Sequence, residues 1–336
     1  MKQTLWSLPV LILALTSLTG CVRKPENWKE VDLSKYPRPE VFIQRYELDL
    51  FNIPQNELVQ GLKTLAPKYP LFIGNSYNSE QALIQMRDYL SDQTIIEGYE
   101  AVEKTFNDLT ACEKALGIAF QRIQAVIPEF RIPQVFSYIS GYDTETGIFV
   151  NDSVVIIPLD QFLGDGFPGY QKLGIPAYVQ RNMTPEHIVP EVVKQILNFH
   201  FWFDTSQRPL IDQMVEAGKH QTLMELVLPT YPAAQLIGYT PDQYLWCEQN
   251  EANIWAMMIE KQMLFSSDPA NIRAMMNDGP FTPGLDKASP GRIGEWMGSQ
   301  IVKSYLRKHP DTHPAQLFKL PQGQDFLQES SYKPKS

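Results

Sequence analysis

The sequence predicts an α+β fold, a mostly helical single domain with a small antiparallel sheet. Three observations predict it. Apolar residues recur three, four and seven apart over residues 94–127, the period of one helix face. Residues 132–157 hold short β-branched runs around Asn151-Asp152. From residue 184 onward, four segments open on an oxygen-bearing cap followed by proline: Thr184-Pro185, Thr240-Pro241, Asp268-Pro269 and Ser289-Pro290. Helices, then a sheet, then helices again is an α+β order rather than a regular βαβ alternation.

Taken in order, residues 41–51 read as a strand, because Phe42, Tyr46, Leu48 and Leu50 fall on even positions among Gln44, Glu47 and Asp49. Residues 54–65 read as a short helix, broken by Lys68-Tyr69-Pro70-Leu71-Phe72, and Ser79 caps a helix over 80–90. In the long pattern, Phe106, Leu109, Leu116, Phe120, Ile123 and Ile127 make the stripe; Gly98 and Gly117 are the places to bend or divide it, and Pro128 ends it. Residues 132–139 form a strand. The runs 147–150 and 153–157 form a hairpin turning on Asn151-Asp152, both tolerant of positive φ. Residues 163–176 are a Gly/Pro-rich loop. Helices follow near 185–202, 209–228, 241–264, 269–276 and 290–307. Pro190 offers a later start to the first, and Thr240 with Gln243 makes a capping box. The α+β domain spans 41–320, followed by a polar tail, 321–336, expected to fray.

The N-terminus carries an address. Lys2 precedes an apolar run, 5–18, too short to span a bilayer, which ends in Leu18-Thr19-Gly20-Cys21. That is the layout of a signal peptide, 1–20, with a lipobox. Cys21 becomes the lipidated first residue of a tether, 21–40, that holds the domain to the membrane through its acyl chains. No acidic cluster follows Cys21, which favours a periplasm-facing location.

Of 336 residues, 29 are Lys or Arg and 38 Asp or Glu, a net charge of −9. An acidic chain is a poor ligand for phosphate backbones, so nucleic acid is excluded as a partner. Three cysteines are too few for a disulfide scaffold; Cys112 and Cys247 read as buried thiols.

Four chemistries each need a distinctive residue pattern. A zinc helix needs two histidines four apart with Glu between them. Among His187, His200, His220, His309 and His313 only the last two have that spacing, and Pro310 and Pro314 break the helix there. No metal and no cofactor are expected. No Gly-x-Ser-x-Gly elbow exists, and Glu248 and Glu251 near Cys247 would raise its pKa. No phosphate loop exists; Gly291, Gly294 and Gly298 suit close helix packing instead. Carboxylates remain. Glu191, Glu216, Glu248 and Glu251 lie on helices beside apolar faces, with Lys194, Lys219 and Arg292 to neutralise them. These seven residues are the candidate polar cleft, and a structural ion cluster outweighs an acid/base pair.

Several motifs carry a family resemblance. They are residues 40–51 with Lys68-Tyr69-Pro70-Leu71-Phe72, Val150-Asn151-Asp152, residues 210–219, Trp246-Cys247-Glu248-Gln249-Asn250-Glu251 with Trp255, and residues 289–298. Together they resemble the gliding-motility lipoprotein B (GldB) family of Bacteroidetes over nearly the whole mature chain. The resemblance implies a cell-envelope lipoprotein acting in gliding motility or a related assembly. A more distant likeness is to zincin-type metallopeptidases. Glu216-Ala217-Gly218 resembles their third-ligand helix, but Val189-Pro190-Glu191-Val192-Val193-Lys194 lacks both histidines. The expectation is therefore a non-catalytic, zincin-like module that binds other envelope proteins. Two alternatives stand beside it. One is a peptide or glycan hydrolase, for which Glu191, Glu216 and one of Glu248 or Glu251 must converge. The other is a small-ligand binding module with an apolar pocket near Trp246, Trp255 and Trp296.

Overall fold

The computed structural model describes residues 27–335; the expected signal peptide, 1–20, and Cys21 lie outside the described residues. The tether does not stay clear of the domain. Trp28 is buried, and Gln121 donates to the Tyr36 carbonyl at 2.6 Å. Strand β1 (Ile43–Arg45) is short and runs straight into helix α1 (Tyr46–Phe51). The strand expected over 41–51 is thus mostly helix: the residues that bury are Ile43, Tyr46, Glu47 and Leu50, a helical spacing, while Phe42 faces out.

Helices α2 (Leu58–Leu65), α3 (Glu80–Ser91), α4 (Gln93–Thr105) and α5 (Thr110–Val126) follow. Ser79 caps α3 and Asp92 caps α4, each side-chain oxygen accepting from backbone N–H. The long 94–127 pattern divides between Thr105 and Thr110 rather than at either glycine. Next come β2 (Gln134–Tyr138), β3 (Phe149–Val150) and β4 (Val154–Pro158).

The sheet order is β1-β2-β4-β3. It is mixed, not antiparallel: β1 pairs parallel with β2 and β2 with β4, and only β3 runs against β4. The reason is connectivity, since parallel neighbours need a long crossover and α1 to α5 supply one between β1 and β2. The hairpin is present; the Asn151 side chain accepts from the Ser153 and Val154 amides. Beyond β4, buried Asp160 ties the preceding loop down by accepting from the Ser140 and Tyr142 amides at 2.9 and 2.7 Å.

Alternation along the strands divides two cores. Val135, Val155 and Ile157 face the large one; Phe136 and Val154 face a small one with Tyr46, Leu50, Leu62 and Tyr69. The later helices are α6 (Pro168–Lys172), α7 (Ala177–Gln180), α8 (Ile188–His200), α9 (Leu210–Val227), α10 (Ala233–Ile237), α11 (Pro241–Gln249), α12 (Glu251–Glu260), α13 (Pro269–Met276), α14 (Ile293–Lys308) and α15 (Gly323–Ser330). The large core is built on α5 and on α8 to α15, while Tyr170 of α6 and Val179 of α7 pack with Tyr142 and Met183 in a separate small cluster. The Thr240/Gln243 capping box opens α11. Helix α9 is buried nearly all round and packs most closely on α14. There the spaced glycines bring backbones together: a Cβ on Gly298 would stand 1.7 Å from the Met214 carbonyl oxygen.

The segment expected as a frayed tail is packed. Phe326 of α15 is fully buried, and the Tyr332 hydroxyl donates to Glu251 at 2.8 Å. Its polar composition hid two aromatic anchors, Phe326 and Tyr332. Among the described residues no helix is long and apolar enough to cross a membrane.

Candidate functional site

Helices α8 and α9 wall a cleft of about 440 Å³, completed by α10 and the start of α14. That volume is within the usual range for ligand sites. From α8, Glu191, Lys194 and Asn198 line it, three and four residues apart on one face. From α9, Gln213, Glu216, His220 and Met224 do so at the same spacing, with Gln221 beside them. The loop after α8 adds Phe201, Trp202 and Phe203, and the start of α14 adds Arg292 and Glu295.

Each carboxylate in the cleft has a cation beside it. Glu191 accepts from the Gln195 amide at 2.6 Å and lies 3.8 Å from the Lys194 ammonium. Burial acts to raise its pKa, but Lys194, the Gln195 hydrogen bond, Arg292 and His187 outweigh it and hold the carboxyl below its ordinary value. Glu216 accepts from Gln322 at 3.2 Å and lies 3.6 Å from Lys219. Glu295 meets Arg292 at 3.1 Å.

Lys219 has no exposed surface, and burial drives its pKa down against the pull of Glu216 and Asp212. Its ammonium also lies over the rings of Phe326 and Phe318, at 5.3 and 5.9 Å. Arg292 is the non-glycine residue with φ of 54° just before α14. Its guanidinium donates to the Ile237 carbonyl at 2.8 Å and approaches Asp278 at 3.5 Å, contacts that oppose the backbone strain. Burial would lower its pKa, yet Glu295, Tyr239 and Asp278 together raise it.

The two histidines on the cleft are neutral near pH 7, because burial lowers both below their ordinary value. His187 Nδ1 pairs with the Thr184 hydroxyl at 2.9 Å. His220 Nδ1 lies 3.0 Å from the Glu216 carbonyl, an acceptor, so the proton is assigned there.

Of the seven residues predicted for the cleft, Glu191, Lys194, Glu216 and Arg292 line it and Lys219 stands directly behind Glu216. Glu248 and Glu251 do not line it: Glu248 is exposed on α11, and Glu251 is buried against Tyr332. The expectation rested on one helix over 241–264, and the chain instead forms two helices that break at Asn250. Sequence reasoning missed Glu295, whose spacing from Arg292 is that of a helical ion pair, and Trp202. The apolar pocket near Trp246, Trp255 and Trp296 has no counterpart in the described cavities. Trp296 is fully buried and Trp255 packs edge-on to Tyr332. Cys112 and Cys247 carry free thiols; burial raises the first to about 12 and the second further. Among the described residues no three His, Cys, Asp or Glu side chains converge as a metal-binding group.

A family model for gliding motility protein GldB matches residues 26–334. No curated protein and no solved structure matches the chain at a significant level.

Proposed function

The chain belongs to the GldB family, and from that premise we propose that it is a lipid-anchored envelope protein of the gliding machinery or a related assembly, acting by protein binding and not by bond-breaking. Cys21 is the lipidation site and the membrane its first partner. The domain faces the periplasm and engages other envelope proteins.

One observation carries the non-catalytic reading: the cleft carboxylates are matched one to one with cations, Glu191 with Lys194, Glu216 with Lys219 and Glu295 with Arg292. A general base working near neutrality needs a raised pKa, and Glu191 is held low instead. A zincin-like ancestry fits the same geometry. Pro190 and Lys194 flank Glu191 at the positions where a zinc helix carries its two histidines, and both line the cleft with Glu216. A prolyl ring and an ammonium coordinate no zinc, so no bound water would be activated there. The hydrolase alternative needed Glu248 or Glu251 in the cleft, and both lie elsewhere.

Cross-linking pull-down from intact envelopes tests the reading, comparing wild type with Cys21→Ser. Wild type retains a defined set of envelope proteins and sediments with membranes; the variant is released and loses them. A variant that stays anchored with the same partners contradicts the lipid-anchor reading. Cleavage of peptide or glycan by the purified wild type contradicts the non-catalytic one.

A further inference from the structure

We propose that the cleft binds a neutral, hydroxyl-rich ligand, a segment of glycan, through Trp202, Asn198 and Gln221. This rests on the non-catalytic reading of the same cleft and adds the chemistry of what enters it.

The first observation is the aromatic at the mouth. Trp202 is 77% exposed, the most exposed large apolar side chain among the described residues, while both neighbours are held. Phe201 stacks on Phe318 with ring centroids 4.1 Å apart, and Phe203 lies under the Arg208 guanidinium at 5.4 Å. With its two flanking rings engaged, the indole is presented to the cleft as a platform. Aromatic faces of this kind accept the apolar C–H face of a sugar ring, while their polar tip stays wet.

The second observation is a set of unengaged polar groups. The side chains of Asn198 and Gln221 make no hydrogen bond among the described residues, although Gln221 is only 9% exposed. Carboxamides both donate and accept, as adjacent sugar hydroxyls do. The third is charge. The carboxylates and cations of the cleft neutralise each other in pairs, so a strongly charged ligand finds no complementary field. An extended peptide is disfavoured for a different reason. Such peptides take their affinity from a sheet edge, and the described lining comes from helices and loops, with no strand residue.

The test is isothermal titration of the full chain in detergent micelles with chitohexaose, with peptide-free peptidoglycan glycan strands, and with an extended Gly/Ser decapeptide. Wild type is expected to bind at least one glycan saturably. Trp202→Ala and the double variant Asn198→Ala/Gln221→Ala should each weaken it about tenfold or more, with unchanged thermal midpoints. No saturable glycan binding, equal binding by both variants, or preference for the decapeptide overturns the inference. The two readings fail separately. Glycan that binds and is cleaved leaves this inference standing and overturns the non-catalytic one. Glycan that does not bind, with no cleavage, does the reverse.

Discussion

The ammonium of Lys194 lies 3.8 Å from Oε2 of Glu191, one helical turn away on the same cleft face. The contact is partly exposed, so it contributes little to stability. Its effect is on protonation: together with Gln195 it offsets the burial that would otherwise raise Glu191. In Lys194→Met, the Glu191 carboxyl resonance should titrate at higher pH than in wild type by carbon-detected NMR. An unchanged midpoint contradicts the assignment of Lys194 as the neutralising cation.

Glu216 and Lys219 form the deeper pair. Removing one partner strands the other, which costs about 3–5 kcal/mol for a buried pair. Lys219→Met should therefore lower the urea midpoint strongly. Glu216→Gln/Lys219→Met should recover most of the loss, because the buried charge is then gone from both sides. Additive losses in the double-mutant cycle would show that the two groups do not interact.

Gly218 and Gly298 set the approach of α9 to α14. A Cβ at Gly218 would stand 2.3 Å from the Gly298 carbonyl, backbone that cannot swing away. Gly298→Ala and Gly218→Ala should each cost about 3 kcal/mol or more, in the range of severe overpacking. Gly147→Ala, with nothing within 4 Å of the added methyl, is the control and should change stability little. Measured by urea unfolding, equal small effects at all three positions would contradict the close crossing.

Four histidines, His187, His200, His220 and His313, have folded pKa values below the ordinary 6.5, burial being the first cause in each. Below that pH the unfolded chain takes up protons that the folded chain refuses. Stability therefore falls as pH drops through 6.5, by up to about 1.4 kcal/mol per pH unit for each group. His220→Leu should make the fall between pH 6.5 and 5 shallower. A slope equal to wild type would place the His220 pKa at its ordinary value.

Phe326 and Tyr332 hold the C-terminal segment to the domain. Phe326→Ala should cost about 3–5 kcal/mol, the cavity cost of a buried ring. If the segment frays, thermal melts of wild type and variant will coincide.

Much of the helical half was legible because its signals are local. Asp268 and Thr240 cap the helices their sequence announces, and Gly294 and Gly298 meet neighbouring helices as their spacing implied, whereas Ser289 and Gly291 lie in the loop before α14. What failed depended on distant contacts. Period two and helical spacing coincide at Tyr46 and Leu50, and only packing against Phe72 and Phe136 decided for helix. Parallel pairing of β1, β2 and β4 is a consequence of chain path, which no local pattern encodes. In the cleft, Glu191 and Glu216 could be found as acids beside apolar faces. Glu295, three residues after Arg292, has the spacing of a helical ion pair, but its motif reads first as a packing glycine run. Trp202 gave no signal, since an exposed aromatic and a buried one look the same in one sequence.

We propose that the cleft holds paired charges, Glu191 with Lys194 and Glu216 with Lys219, and takes up no activating ion. Zinc titration of the purified full chain, read by calorimetry and by metal content after dialysis, tests it most directly. The account predicts no stoichiometric zinc in wild type, and zinc uptake only when Pro190→His and Lys194→His are combined. Tight zinc in wild type, with cleavage activity abolished by Glu216→Ala, would contradict it.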